Sequence, residues 1–320
     1  MMHSNFSAAR PYTTGDLPAL ARLVEKAQAW PFSVPPTMGE IELRWERRNV
    51  EPEKDVIVLP GPQGTIAAYL QAHARREGTP RLQFEIIVDP GSRCIGLGSH
   101  LYSFVERRAR DDGVAYMTSP VYAMPHQPEP AAVAFLTHRS FAPEHRFWQM
   151  RINEICDQAH PAWPDGIGWR TLERSDRDAK RWAELVLATF SETVTMDDLK
   201  KQVAEPGSIA DGYIFAIDKR TGLEVGTTRS RKDSIDGAAV GYIGTVGVLP
   251  AYRNKGIAEA LIRQMFLHLG KYGINNAFLY VSDSNIAARK LYTRMGWQSV
   301  FRTDHYWRRL DAPRQEHLQS

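Results

Sequence analysis

The chain has 320 residues, 43% of them hydrophobic and 24% charged, and its 40 Lys+Arg against 37 Asp+Glu leave a net charge of +3. That length holds about two ordinary domains, and the composition is globular, which excludes low-complexity and disordered classes. A charge so close to neutral argues against a broad nucleic-acid-binding face, two cysteines (Cys94 and Cys156) build neither a disulfide framework nor a paired-cysteine zinc site, and no apolar run reaches the length of a bilayer span. The opening residues MMHSNFSAARPY lack the apolar stretch of a signal peptide. The expectation is a cytoplasmic protein, monomer or homodimer, with no membrane or nucleic-acid partner.

In chain order, Leu17, Leu20, Leu23 and Val24 share one face of a helix predicted over 15–26. Strands are predicted at 55–59 and 65–71 around the turn Pro60-Gly61-Pro62, and again at 84–88. A helix over 96–110 follows, with Leu97, Leu101, Phe104, Val105 and Arg108 at helical spacing, then a buried type of strand at 114–118. The segment 157–167 is rich in Pro, Gly and Asp and reads as a linker between domains at 1–156 and 168–320. Beyond it the order repeats. A helix is predicted over 177–190, strands at 213–217, 224–229 and 239–248, a helix over 256–270 with Ala258, Leu261, Ile262, Met265, Phe266 and Leu269 in one stripe, a strand at 277–281 and a helix over 285–295.

The repetition is visible residue by residue. Val88-x-Pro90-x-x-Arg93-x-x-Gly96-x-Gly98 in the first half answers Val248-x-Pro250-x-x-Arg253-x-x-Gly256-x-Ala258 in the second. The offset is 160 residues from Arg93 to Arg253, and again from Gly113 to Gly273. Ala132-x-x-Phe135-Leu136-x-x-x-Ser140-Phe141 answers Ala288-x-x-Leu291-Tyr292-x-x-x-Gly296-Trp297, offset by 156. The difference places four extra residues of the first half in its Pro-rich loop at 120–130. The chain therefore reads as one α/β domain duplicated.

Chemistry is concentrated where a strand leads through a short loop into a Gly-rich helix start. The first turn of a helix offers free N–H groups and a partial positive charge, and small residues let an anion approach the backbone. Arg253, Asn254, Lys255, Gly256, Ile257 and Ala258 form such a turn and fit a phosphate or pyrophosphate. Neither the dinucleotide fingerprint nor a P-loop is present. The ten histidines include no HExxH and no paired ligand spacing, so no metal site is expected.

The two second-half blocks, 248–258 and 285–297, resemble the GNAT superfamily of acetyl-CoA-dependent N-acyltransferases, and the repeat extends the resemblance over almost the whole chain as a tandem two-domain type. The fold implied is α/β (α+β): two tandem GNAT folds, each a mixed, mostly antiparallel sheet with splayed parallel central strands and flanking helices. Acetyl-CoA would sit where 239–248 and 277–281 splay apart. Val246, Gly247 and Val248 would meet the pantetheine arm, the backbone from Arg253 to Ala258 the pyrophosphate, and Asn285 and Ala288 the cofactor from the next helix. Tyr292 occupies the position of the family's general acid, which protonates the departing thiolate. A phenol, with a pKa of about 10, stays protonated for this at neutral pH. Strand N–H groups would stabilise the tetrahedral intermediate.

The first half departs from this pattern. It keeps Val88, Arg93, Gly96 and Gly98 for a cofactor, but Leu136 stands in place of Tyr292, Glu129 in place of Asn285 and Ile95 in place of Lys255. It is expected to bind CoA without catalysing. A general base is not assigned: Thr245 stands where the first half has Glu85, and Ser282, Asp283, Tyr280 or a water chain remain open. Blander readings stand beside these. Tyr292 also fits a core aromatic beside Ala288, Leu291 and Met295, Arg253 and Lys255 fit solvated loop cations, Cys94 an incidental thiol, and Trp30, Phe32 and Trp45 core aromatics. The function expected is acetyl transfer from acetyl-CoA to a primary amine of a small molecule or peptide. The alternatives are a non-catalytic acyl-CoA-binding regulatory module, or an acyltransferase using another donor, such as the aminoacyl-tRNA-dependent peptidoglycan-bridge enzymes.

Overall fold

The computed structural model describes residues 8–27, 37–75, 80–124, 130–173, 175–190, 208–235 and 237–310. The chain divides into two compact units: residues 1–147 together with 301–320, and residues 148–300.

In the first unit, strands β1 (Arg10–Pro11), β2 (Val56–Pro60), β3 (Ile66–Arg75), β4 (Arg81–Val88) and β5 (Tyr116–Ala123) lie side by side in that order. Helices are α1 (Leu17–Lys26), α2 (Met38–Arg47), α3 (Pro52–Asp55), α4 (Leu97–Asp111) and α5 (Pro130–Thr137). Thr37 starts α2 with a reciprocal cap: the Glu40 N–H donates to its hydroxyl at 3.2 Å, and its own N–H donates to the Glu40 carboxylate at 2.8 Å. The period-2 pattern of β4 feeds two separate cores. Leu82 and Phe84 pack with Leu101, Val105 and Met117 on the α4 side. Ile87 packs with Leu20, Trp45, Val58 and Tyr69 on the side of α1 and α2.

The second unit repeats the plan. After the later part of β6 (Ala142–Asn153) come β7 (Ile167–Thr171), β8 (Ser208–Asp218), β9 (Leu223–Ile235), β10 (Ala238–Val248) and β11 (Asn276–Ser282), arranged β6-β11-β10-β9-β8-β7. Its helices are α6 (Asp176–Phe190), α7 (Ile257–Gly270) and α8 (Ile286–Arg294). The stripe expected on α7 is largely the one that is buried: Leu261, Ile262, Met265, Phe266 and Leu269 sit in one core with Leu279 and Trp297, and Ala258 packs at its margin. Trp182 and Phe215 anchor a smaller core under α6.

The unit boundaries differ from the sequence expectation. The segment expected as a linker belongs to the second unit, where Ala159 and Ile167 are buried in its main core and Arg263 donates to the Gln158 carbonyl at 2.8 Å. A Pro/Gly/Asp-rich composition marks irregular backbone, and irregular backbone can still be packed. The terminal strand β12 (Gln298–Arg309) joins the first unit from Phe301 onward and pairs antiparallel with β5, Arg302 opposite Ala123 through Arg309 opposite Tyr116. That pairing carries β5 through Pro120, which the sequence assigns to a loop.

Candidate active site

The second unit opens where the expectation placed it. β10 and β11 pair in parallel at Gly241–Ala277 and Tyr242–Phe278, and the ladder ends there although β10 continues to Val248. On its other edge β10 is bulged. Gly244 opposes Arg229 and Gly247 opposes Thr227, so Thr245 and Val246 together face Thr228 alone. Thr245 takes the extra turn at φ 54°. The fully buried Thr228 hydroxyl donates to the Gly244 carbonyl at 3.1 Å and holds the bulge from behind. Of the three residues assigned to the pantetheine arm, Val246 lies in the bulge, whereas Gly247 and Val248 have rejoined the ladder opposite Thr227 and Gly226. Gly226 is required there. A Cβ on it would stand 2.9 Å from the Gly247 carbonyl oxygen.

Beyond Val248 the chain makes a short 3-10 turn at Pro250–Tyr252 and enters α7. The Tyr252 hydroxyl donates to Asp218 at 2.8 Å, and this bond foremost holds the Asp218 carboxyl below the usual carboxylate range. Asn254 at φ 61° and Gly256 at φ 84° are left-handed, which folds the turn tightly enough to expose the helix start. The first intrahelical bond runs from the Ala260 N–H to the Gly256 carbonyl, leaving the N–H groups of Ile257, Ala258 and Glu259 without helical partners. Buried Ile257 anchors this end. Arg253 differs from its expected role as a simple cation: its guanidinium turns back to donate to the Val248 carbonyl at 3.1 Å and the Thr189 carbonyl at 3.4 Å, stapling the turn. Lys255 is exposed, its ammonium 5.2 Å from the Tyr252 ring centroid.

Tyr292 on α8 is 7% exposed and packs 6.0 Å from the Trp297 ring. Burial, with a smaller contribution from Tyr242, pushes its phenol well above the ordinary range, so it is a proton carrier at any physiological pH. Asn285 caps α8: its side-chain oxygen accepts the Ala288 N–H at 3.1 Å. Asp283, one of the open candidates for a base, receives the Trp148 indole N–H and the Arg289 guanidinium, both at 2.6 Å. Tyr280 accepts from the Gln149 side-chain amide at 3.1 Å.

The first unit builds the same turn on a different strand. Cys94 at φ 62° and Gly96 at φ 94° repeat the conformations of Asn254 and Gly256. Val88, Arg93, Gly96 and Gly98 all line a cavity of about 350 Å³, together with Cys94 and the buried Leu136. Gly98 sits close against the next helix, since a Cβ there would lie 3.3 Å from the Phe135 ring. β4 and β5 pair in parallel from Arg81–Tyr116 to Gln83–Thr118, after which β4 runs on along the cavity. The β3–β4 ladder, however, is unbroken from Arg75–Arg81 to Ala68–Val88, with no bulge. Glu85 and Tyr122 stand on the cavity wall, and Arg44 and Arg48 reach both from α2 and its C-cap: Arg44 lies 2.9 Å from the Glu85 carboxylate, and Arg48 3.1 Å from the Tyr122 hydroxyl. Glu129, Trp30 and Phe32 lie outside the described residues, and Trp45 is core, its indole N–H bonded to Gln71 at 3.0 Å.

Thr228, Gly226, Tyr122, Arg44 and Arg48 were not singled out from the sequence. A glycine inside the β9 pattern was the one local signal, since glycine in a strand often marks a close backbone approach.

A splayed parallel pair, a bulge, a tight turn into a bare helix start and a buried phenol on the following helix define an acyl-CoA-dependent transferase fold. The model of the acetyltransferase (GNAT) family matches this chain twice, at residues 21–141 and 171–297, and the chain belongs to that family. The mycothiol acetyltransferase of Thermobispora bispora is 28% identical over 294 residues, covering 89% of this chain and 93% of its own. That of Geodermatophilus obscurus is 27% identical over 284 residues, covering 86% and 89%. Among solved structures, a GCN5-related N-acetyltransferase from Sphaerobacter thermophilus superposes with a TM-score of 0.80 at 26% identity, covering 97% of both chains. A tandem GNAT protein from the clavulanic acid biosynthesis pathway gives 0.72 at 16% identity, covering 96% of this chain and 99% of its own, which is a likeness of fold. No helix among the described residues is long and apolar enough to cross a membrane.

Proposed function

We propose that the second unit transfers an acetyl group from acetyl-CoA to a primary amine of a small molecule or peptide. The observation that carries this reading is the bulge of β10, which frees the backbone at Thr245–Val246 beside the splayed strands and sits in the same unit as Tyr292. The turn from Arg253 to Ala258 takes the pyrophosphate on its free N–H groups, with Lys255 adding charge and Arg253 holding the shape of the turn. Asn285 keeps the start of α8 intact and thereby fixes Tyr292. Val246, Gly247 and Val248 lie alongside the pantetheine arm. The amine nitrogen attacks the thioester carbonyl, the C–S bond breaks, the Tyr292 hydroxyl gives its proton to the sulfur, and the proton released by the nitrogen passes to solvent, from which the phenolate is reprotonated. The relatives' shared name supports acetyl as the group moved. The first unit binds CoA in its own cleft through Val88, Arg93, Gly96 and Gly98 and contributes no helix-borne proton donor, because Leu136 carries none.

The test is thiol release from acetyl-CoA with a panel of amines, followed spectrophotometrically. Amine-dependent release that collapses in Tyr292→Phe is the expected result. Binding of CoA with no release on any amine would favour a sensor, and full activity of Tyr292→Phe would remove Tyr292 from the role of acid.

A further inference from the structure

Acyl transfer to an amine moves two protons: one goes to the leaving sulfur and one comes off the attacking nitrogen. The two faces of the splayed strands differ in a way that bears on the second. On β10, Gly241 and Ile243 face α7: a Cβ on Gly241 would stand 2.3 Å from the Leu269 side chain, and Ile243 is buried in the core under that helix. On β11, Ala277, Leu279 and Val281 belong to the same core, as does Tyr292. Side chains alternate along a strand, so Tyr242, Phe278 and Tyr280 stand on the opposite face. Their rings meet there, Tyr242 at 5.3 Å from Phe278 and 6.4 Å from Tyr280.

The phenol of Tyr242 lies along its own strand. A Cβ on Gly244 would be 2.4 Å from the Tyr242 hydroxyl, so the phenol fills the space of a side chain at 244 and its hydroxyl ends next to the bulge at Thr245–Val246. The Arg231 guanidinium, 4.3 Å over the ring, holds it in that direction. The hydroxyl hydrogen-bonds no described residue and is not sealed in the interior. Tyr280 differs: its hydroxyl accepts from Gln149 at 3.1 Å, and its side chain is 45% exposed, which opens this face to solvent.

We propose that Tyr242 is a catalytic residue of the acetyl transfer, receiving the attacking amine and relaying the proton that its nitrogen sheds. The proposal rests on the reading of the second unit as the acetyltransferase. The turn for the pyrophosphate heads α7, so the cofactor reaches the splay from the α7 side and the amine meets the thioester from the face of Tyr242. The phenol oxygen accepts an N–H of the amine, which aims the nitrogen lone pair at the carbonyl carbon. As the C–N bond forms, the nitrogen's proton passes to the Tyr242 oxygen while the hydroxyl's own proton passes to solvent, so the phenol ends neutral. The C–S bond then breaks and Tyr292 protonates the sulfur from the other face. The two phenols are near enough to feel each other's charge, and a relay that leaves Tyr242 neutral adds none when Tyr292 gives up its proton.

The experiment is steady-state thiol release from acetyl-CoA by the full chain and its Tyr242→Phe variant, with L-alaninamide, glucosamine and n-butylamine as acceptors. Tyr242→Phe should lose about 10²-fold in kcat/KM for the fastest of these amines, while calorimetric binding of acetyl-CoA stays as it was. N-methylmorpholine, a tertiary amine that takes protons but has no N–H to acetylate, should restore part of the lost rate in the variant and leave the parent chain unchanged. Undiminished kcat/KM overturns the proposal, as does a loss matched by weaker acetyl-CoA binding or one that the tertiary amine does not relieve. If Tyr242→Phe proves unfolded by circular dichroism, Gly244→Ala decides: its Cβ displaces the hydroxyl with the phenol retained, the same loss and rescue are expected, and full activity overturns the proposal. Absence of release by the parent chain on every amine overturns the reading of the second unit as the acetyltransferase along with the proposal. A parent chain that is active and a variant that is equally active remove Tyr242 alone.

Discussion

The two units share a turn and differ in the strand that leads to it. Cys94 and Gly96 adopt the same left-handed pair of conformations as Asn254 and Gly256, so the tight turn into the helix start has been kept in both copies. The strand before it is regular in the first unit and bulged in the second. One pair of residues accounts for much of this. Opposite Val248 stands Gly226, whose missing Cβ leaves space for the Gly247 carbonyl, while opposite Val88 stands Ala68, fully buried in an unbroken ladder. The turn proposed to take the phosphate and the strand proposed to present the thioester are thus separable features, the first kept in both units and the second altered in one.

Four changes break or sharpen that comparison. The largest effect is expected from Tyr292→Phe, which removes the proton donor that only the second unit carries on its helix. Turnover should fall by about 10²–10⁴-fold with the KM for acetyl-CoA little changed, measured by steady-state thiol release. Gly226→Ala converts the second unit toward the first. Its Cβ cannot coexist with the Gly247 carbonyl, so either the bulge flattens or the sheet strains, at a cost of about 1–3 kcal/mol in urea denaturation and a marked loss of turnover.

The third change concerns the first unit's own cluster. Burial, followed by the nearby charge of Arg48, depresses the His305 imidazole to about 4. Its folded pKa lies below the unfolded value of about 6.5, so the unfolded chain binds the extra proton between those pH values. The stabilising contribution is complete above about pH 6.5 and is lost as the pH falls toward 4. Denaturation at pH 7 and pH 5 should show about 1–2 kcal/mol less stability at the lower pH, and His305→Gln should remove that part of the dependence. The smallest effect is expected from Thr228→Val, which deletes the hydroxyl behind the bulge. About 1 kcal/mol of stability and a several-fold loss in kcat should follow, with Thr228→Ser restoring both.

Much of the fold was legible because it is written locally. The stripe of Leu261, Met265 and Leu269 fixes α7 almost to the residue, since helical periodicity needs no distant partner. The repeat of Arg93 and Gly96 in Arg253 and Gly256 located both turns for the same reason. Strands β6 and β12 were missed because their burial patterns do not alternate cleanly, which leaves little periodicity to read. Arg253 was recognised as important but its action was not: only coordinates show its guanidinium stapled to the Val248 and Thr189 carbonyls.

The sequence by itself determined that one α/β plan occurs twice, that each copy enters a helix through a tight Gly-containing turn, and that only the second offers a tyrosine on the following helix. These follow from short-range rules of periodicity, glycine conformation and residue chemistry. Tertiary structure decided which strand is bulged, which unit the terminal strand completes, and that Arg44 and Arg48 converge on Glu85 beside the first cavity. Those depend on what faces a residue across a sheet or from another helix, and no local pattern along the chain encodes it.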